Sequence, residues 1–292
     1  MLSELRTQVM CSGRPRVDRV QIEKGRGPLR QDRRPVSLGT APRRSRDCRG
    51  RCDQPWQRPT RAKLFLVAPL TRLHRAEPAV AVLTLATPER RNALSIAVRD
   101  EISDHLEALA GDPELKVLVV AAEGPVFCAG FDLREFERAM DDTAFADELW
   151  ASSDRYHSAV ATFPLVTVAA VSGPAIAGGF DLAVLCDLRV AASTAWFSHP
   201  EYAFGQVVYG PLHDLVGGAL ARRLTMTGER LSVEDALRFG LVSEVVEPDD
   251  VLAAALCLAQ RAAVAPREVI LDTKAKALRH AGRSPQTLTL DL

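Results

Sequence analysis

Two small-residue stretches, FCAGFDL at Phe127–Leu133 and AIAGGFDL at Ala175–Leu182, decide how this chain is read. Each follows an apolar, strand-like run and opens a helix-like one. Ala and Gly bare the backbone at a helix start, where the first N–H groups lack an intrahelical partner and point at whatever lies before them. Two such loops facing each other would make an oxyanion hole.

The flanks support this. Val117–Ala121 (VLVVA) and Leu165–Val171 (LVTVAAV) are short continuous apolar runs, the pattern of strands buried on both faces. After the second loop, Asp181, Leu182, Leu185 and Cys186 fall at helical spacing. Gly178 and Gly179 stand where that helix begins, and its dipole favours an anion near Gly178. Upstream, Val80–Leu85 reads as a strand, and Ser95 opens a helix with an apolar stripe of Ile96, Val98, Ile102, Leu106 and Leu109 that Gly111 ends. Asp142–Ala161 reads as helix, and Leu188–Ala192 and Ala195–Ser198 as short strands. From Pro211 the chain is mainly helical, with Ser232 and Asp235 as an acidic capping box and final helices over Asp249–Val264 and Pro266–Arg279. Apolar strands alternating with helices argue an α/β fold.

With 292 residues, 47% of them hydrophobic, the chain can bury a large core in one or two domains. No apolar run reaches the roughly 18 residues of a spanning helix, and the N-terminus lacks a signal's apolar centre. A cytoplasmic protein with no membrane partner is expected. The net charge of zero hides an asymmetry: residues 1–63 hold 17 Lys and Arg against six Asp and Glu, and the remainder carries the balancing negative charge. Residues 1–62, rich in Pro and Gly, form a basic segment whose composition cannot offset its ordering entropy, and they read as disordered or extraneous. Translated upstream sequence is one origin, since 32 Arg against five Lys suit GC-rich coding. An arm for nucleic acid or an acidic partner is another. Early Glu4, Asp18 and Glu23 argue against an organelle-targeting peptide. Cys48 and Cys52 lack a second ligand pair, so no metal site is expected, and the thiols read as reduced.

The two loops in this order, together with TPERRNAL (Thr87–Leu94), FSHPEYAFG (Phe197–Gly205) and LTMTGERLSVEDALRFGLVSEVV (Leu224–Val246), resemble the enoyl-CoA hydratase/isomerase, or crotonase, superfamily from about Val80 to Arg279. The resemblance implies a spiral of ββα repeats over residues 63–225, carrying the active site. A helical C-terminal region, 226–292, would follow and build a homotrimer or homohexamer. It implies an acyl-CoA thioester as substrate, with coenzyme A entering as part of that substrate and no separate cofactor. Carried over position by position, the oxyanion donors would be the N–H groups of Phe131 and Gly178. Glu201 matches the principal catalytic glutamate, and Asp181 matches the place of a second one in hydratases. Asn92, Ala93 and Leu94 would line the nucleotide and pantetheine path, Arg90 or Arg91 would face phosphates, and Ala129 would also bind substrate. Tyr209 and His213 would flank the acyl end.

The residues also allow plainer roles. Asp181 would serve as a helix cap, Glu201 as a turn carboxylate, and His199 as a structural residue or one that orients Glu201. Cys128 reads as packing, because it has no basic partner. Asp132 reads as an anchor of the first loop through backbone hydrogen bonds. Asp181 is one methylene shorter than the hydratase glutamate, which leaves three functions to compare. Enoyl-CoA hydration leads. A Δ3,Δ2-enoyl-CoA isomerase, in which one carboxylate moves a proton, is the rival. A non-catalytic acyl-CoA binder whose basic arm engages nucleic acid is the third. No GxSxG elbow supports serine-hydrolase chemistry.

Overall fold

Val80–Leu85 (β2), Val117–Ala122 (β3) and Val166–Val171 (β4) pair in parallel register, Val80 opposite Val117 and Val117 opposite Val166. Their β-branched side chains are buried on both faces, which is why they read as unbroken apolar runs. A computed structural model describes residues 69–282 apart from Phe204 and Gln206; the basic segment 1–62, with Cys48 and Cys52, lies outside the described residues. Thr71–Glu77 (β1) closes one edge, antiparallel to β2, while Leu188–Ala192 (β6) and Glu244–Val246 (β9) extend the other in parallel, giving the order β1-β2-β3-β4-β6-β9.

Helices cross between the parallel strands. Ile96–Ala110 (α1) starts at Ser95, whose Oγ accepts the Val98 N–H at 3.4 Å, and buries the stripe expected of it. Leu133–Asp141 (α2) is capped by Asp132, and Thr143–Ala161 (α3) by Asp142, one residue inside the expected start. Gly178–Leu185 (α4) follows the second loop and is buried along its length.

A second, three-stranded sheet sets the site. Ala175–Ile176 (β5) lies parallel to Trp196–Ser198 (β7), which pairs antiparallel with Leu231–Ser232 (β8). Beyond β7 come a 3-10 turn at Pro200–Ala203 and Gly210–Thr227 (α5), a helix interrupted at Gly217. Val233–Arg238 (α6), Val251–Ala263 (α7) and Arg267–His280 (α8) complete the chain, with α7 laid against β3, β4 and β6. Within 226–292, β8 joins the small sheet and β9 the large one. Both strands are too short for a period to show.

Candidate active site

Three segments run side by side where the two sheets meet. Leu94 N–H donates to Gly130 O (2.8 Å), Ala129 N–H to Arg91 O (3.0 Å), and Ile176 N–H to Cys128 O (3.0 Å). The ends of TPERRNAL, CAGF and AIAGG are thereby clamped together, bringing Arg91, Asn92, Ala93, Leu94, Ala129, Phe131 and Gly178 into one neighbourhood. Gly130, at φ +85°, turns so closely against the second loop that a Cβ there would stand 3.1 Å from Gly178 N. Only glycine suits both that angle and that approach. Neither the Phe131 nor the Gly178 N–H donates to a carbonyl or side chain among the described residues. Two neighbouring free amides meet the requirement for holding an oxyanion.

The second loop is held open by strain. Ala177 has φ 53° and ψ −129°, a region that side chains rarely adopt, and its N–H donates to Ser198 O at 2.9 Å.

Asp181 projects from the first turn of α4, and Glu201 stands in the 3-10 turn after β7. Between them lies His199, 0% exposed, with Nδ1 2.9 Å from Glu201 Oε1 and 3.6 Å from Asp181 Oδ1. Glu201 Oε2, Asp181 Oδ1 and His199 Nε2 are buried without a hydrogen-bond partner among the described residues. Burial pushes the Asp181 carboxyl up to about 8; the His199 imidazole opposes that rise and the Glu201 charge adds to it. His199 titrates above its usual value, because the hydrogen bond to Glu201 and the charges of Asp181 and Glu201 outweigh the cost of burial. One ligand atom from each residue lies within 4.8 Å of the others, a spacing that suits a divalent cation as well as a shared proton. The 2.9 Å separation of Nδ1 and Glu201 Oε1 is a hydrogen-bonding distance.

The other expected residues have defined places. Asn92 is buried at φ 53°, its Oδ1 taking the Thr87 N–H and its Nδ2 serving Glu123 O and Val126 O. Its side chain builds the loop and has no donor left for substrate. Arg90 and Arg91 are exposed. Burial lifts the Cys128 thiol to about 12, and Sγ lies 3.1 Å from Asn92 O, the geometry of packing rather than of a nucleophile. Asp132 Oδ1 accepts the Arg134 N–H at 3.1 Å, anchoring the first loop. Tyr209 and His213 sit at the start of α5 with ring centroids 5.6 Å apart. A cleft of about 440 Å³ lined by Arg72, His74, Glu123 and Ser172 at the ends of β2–β4 includes none of the expected site residues.

Arg99 packs beneath the first loop, a contact not expected from the sequence. It is wholly buried, its guanidinium lying 4.4 Å from the Phe131 ring centroid and donating to Leu94 O (2.7 Å), Leu149 O (3.3 Å) and Ser152 Oγ (3.3 Å). Glu135 Oε2 stands 3.8 Å away. A signal was present: Arg99 falls three residues from both Ile96 and Ile102, on the buried stripe of α1.

The mostly parallel sheet with its helical crossovers and the small second sheet form a crotonase fold. The chain belongs to the enoyl-CoA hydratase/isomerase family, whose model matches residues 75–291. It is similar to the probable enoyl-CoA hydratase EchA8 of Mycobacterium tuberculosis, 35% identical over 206 residues, covering 68% of this chain and 78% of that one. It is also similar to the mitochondrial enoyl-CoA hydratase domain-containing protein 3 of Rattus norvegicus, 32% identical over 205 residues, covering 69% and 68%. Among solved structures, an enoyl-CoA hydratase from Bacillus anthracis superposes with a TM-score of 0.68 at 26% identity, covering 75% of this chain and 86% of that one. One from Mycobacterium smegmatis gives 0.61 at 31%, covering 73% and 90%.

Proposed function

We propose that this protein is an enoyl-CoA hydratase that adds water across the C2=C3 bond of a 2-enoyl-CoA. The observation that carries this reading is the convergence of two carboxylates with free oxygens across one histidine, Asp181 held protonated by burial. The thioester oxygen takes the N–H groups of Phe131 and Gly178. Glu201 Oε2 removes a proton from water, the hydroxyl adds to C3, and the electron pair moves onto the thioester oxygen as an enolate. Collapse of the enolate takes a proton at C2 from Asp181, and proton transfer from Glu201 back to Asp181 resets the pair. Coenzyme A enters with the substrate, with Arg90 and Arg91 available to its phosphates, and no separate cofactor is required.

Isomerisation is the second reading, favoured by the short arm of Asp181, since Glu201 alone suffices to move a proton between C2 and C4. Panels of 2-enoyl- and 3-enoyl-CoA thioesters separate the two: hydration removes conjugated-enoyl absorbance from the first, and isomerisation creates it in the second. Assembly into a trimer or hexamer is proposed through the C-terminal part, where Met226, Phe239, Val264 and Val269 expose apolar side chains. No helix among the described residues is long and apolar enough to cross a membrane. A cytoplasmic setting agrees with the free thiols of Cys128, Cys186 and Cys257.

A further inference from the structure

We infer that His199 is the positioning residue of this site: its Nδ1–H, donated to Glu201 Oε1 and drawn toward Asp181, fixes which oxygen of Glu201 is left for the substrate. The inference rests on the hydratase reading and deepens it.

The position of His199 is over-determined. Register in the small sheet places Ser198 opposite Ile176, and the Ala177 N–H binds Ser198 O, so His199 emerges beside the second loop. Its ring packs on Phe180 of α4 at 4.5 Å between centroids, and Phe180 packs on Phe197 at 5.2 Å. Pro200 fixes the backbone between His199 and Glu201, so the two side chains meet at a separation of two residues. The charged or titratable groups facing the imidazole are Glu201 from the 3-10 turn and Asp181 from α4, with the neutral Cys128 thiol beyond Asp181.

With Oε1 engaged, the oxygen of Glu201 left without a partner is Oε2. That makes Oε2 the base. The 3.6 Å reach to Asp181 Oδ1 is too long for a full hydrogen bond but short enough for attraction, which draws the shorter aspartate toward the same centre. Two buried carboxylates would otherwise repel each other. An N–H at Nδ1 faces Glu201 Oε1 at 2.9 Å and Asp181 Oδ1 at 3.6 Å and offsets that repulsion, while burial holds the proton on Asp181.

Three substitutions in the full-length chain separate positioning from packing. Asn at 199 puts an amide donor near where Nδ1 sits, Gln puts one near Nε2, and Leu supplies none. Using crotonyl-CoA and confirming folding by thermal melts, we expect His199→Asn to keep kcat within about tenfold of wild type. His199→Gln and His199→Leu should lose about 10²-fold or more in kcat with KM little changed. Equal activity of the Asn and Leu variants would overturn the inference.

A substrate-free measurement keeps the test separate from the hydratase reading. Long-range 1H–15N correlation on ligand-free enzyme should find His199 protonated at Nδ1 at neutral pH, with its titration displaced in Glu201→Gln. An unprotonated, accepting Nδ1 would refute the inference whatever reaction the enzyme proves to catalyse. Failure of wild type to hydrate any 2-enoyl-CoA, with the Nδ1–H present, would defeat the hydratase reading alone.

Discussion

Gly179→Ala should separate the two loops and disarm the oxyanion hole while leaving both carboxylates in the chain. A Cβ built on Gly179 falls 2.7 Å from the carbonyl carbon and the Cβ of Cys128, and closer still to the Cys128 oxygen. Ordinary contact begins at 3.4 Å, so the loops must part by about 0.7 Å to free the two carbons and by more to free the oxygen, and the obstructing atoms are mainly backbone. The bond from Ile176 N–H to Cys128 O, 3.0 Å long, lies in that gap. Overpacking of this kind costs about 1–3 kcal/mol, and a weakened backbone hydrogen bond about 1 kcal/mol more. Cys128 is three residues before Phe131, so the displacement also carries one amide donor off the thioester oxygen. Loss of one donor costs about 2.7–4 kcal/mol of transition-state stabilisation, or about 10²–10³ in rate. Denaturant unfolding and initial rates on a 2-enoyl-CoA read the two effects. Gly240→Ala is the control: at φ +76° with no atom within 4 Å of its Cβ, it should lose about 1–2 kcal/mol of stability and no activity. A Gly179→Ala enzyme with kcat/KM within threefold of wild type would refute the placement of the oxyanion hole.

Asp181→Asn should lower hydration about 10²-fold or more while isomerisation of 3-enoyl-CoA survives within about tenfold; equal loss of both would reverse the roles given to the two carboxylates. The same variant has a stability signature. Because the folded state holds the Asp181 proton up to about 8 and the unfolded state releases it near 3.8, wild-type stability falls as pH rises through that interval. Asn carries no such proton, so the variant should gain on wild type between about pH 4 and pH 8, and denaturation midpoints that stay parallel would contradict the buried, protonated aspartate. Arg99→Leu should cost about 3–5 kcal/mol, since it takes the donor from the Leu94 and Leu149 carbonyls, leaves Glu135 with only the Ile96 N–H and removes the cation beside the Phe131 ring. Double substitution with Glu135→Gln should recover part of that loss, and strictly additive losses would show that the two do not interact.

The large sheet was legible because parallel strands buried on both faces leave continuous apolar runs, as in VLVVA and LVTVAAV. β1 was not, since TRLHRAE is an edge strand whose side chains face mostly outward and whose pairing comes from β2. The two-residue strands β5 and β8 have no period to read, yet β5 brings the second loop to β7 and hence to His199. Of the site, the loops stood out by residue type, and both carboxylates were placed by the family resemblance. Their connection through His199 did not, because a buried histidine and an exposed one look alike in sequence. Ala177 was hidden for the opposite reason: a positive φ ordinarily announces itself as Gly, and here an alanine is forced into it.

Hydration of a short panel of 2-enoyl-CoA thioesters by wild type and by Glu201→Gln, followed by loss of conjugated-enoyl absorbance, tests the central assignment most directly. Turnover by wild type that falls at least 10³-fold in the variant, with acyl-CoA binding retained, is the expected result. Comparable turnover by both proteins would show that Glu201 is not the base.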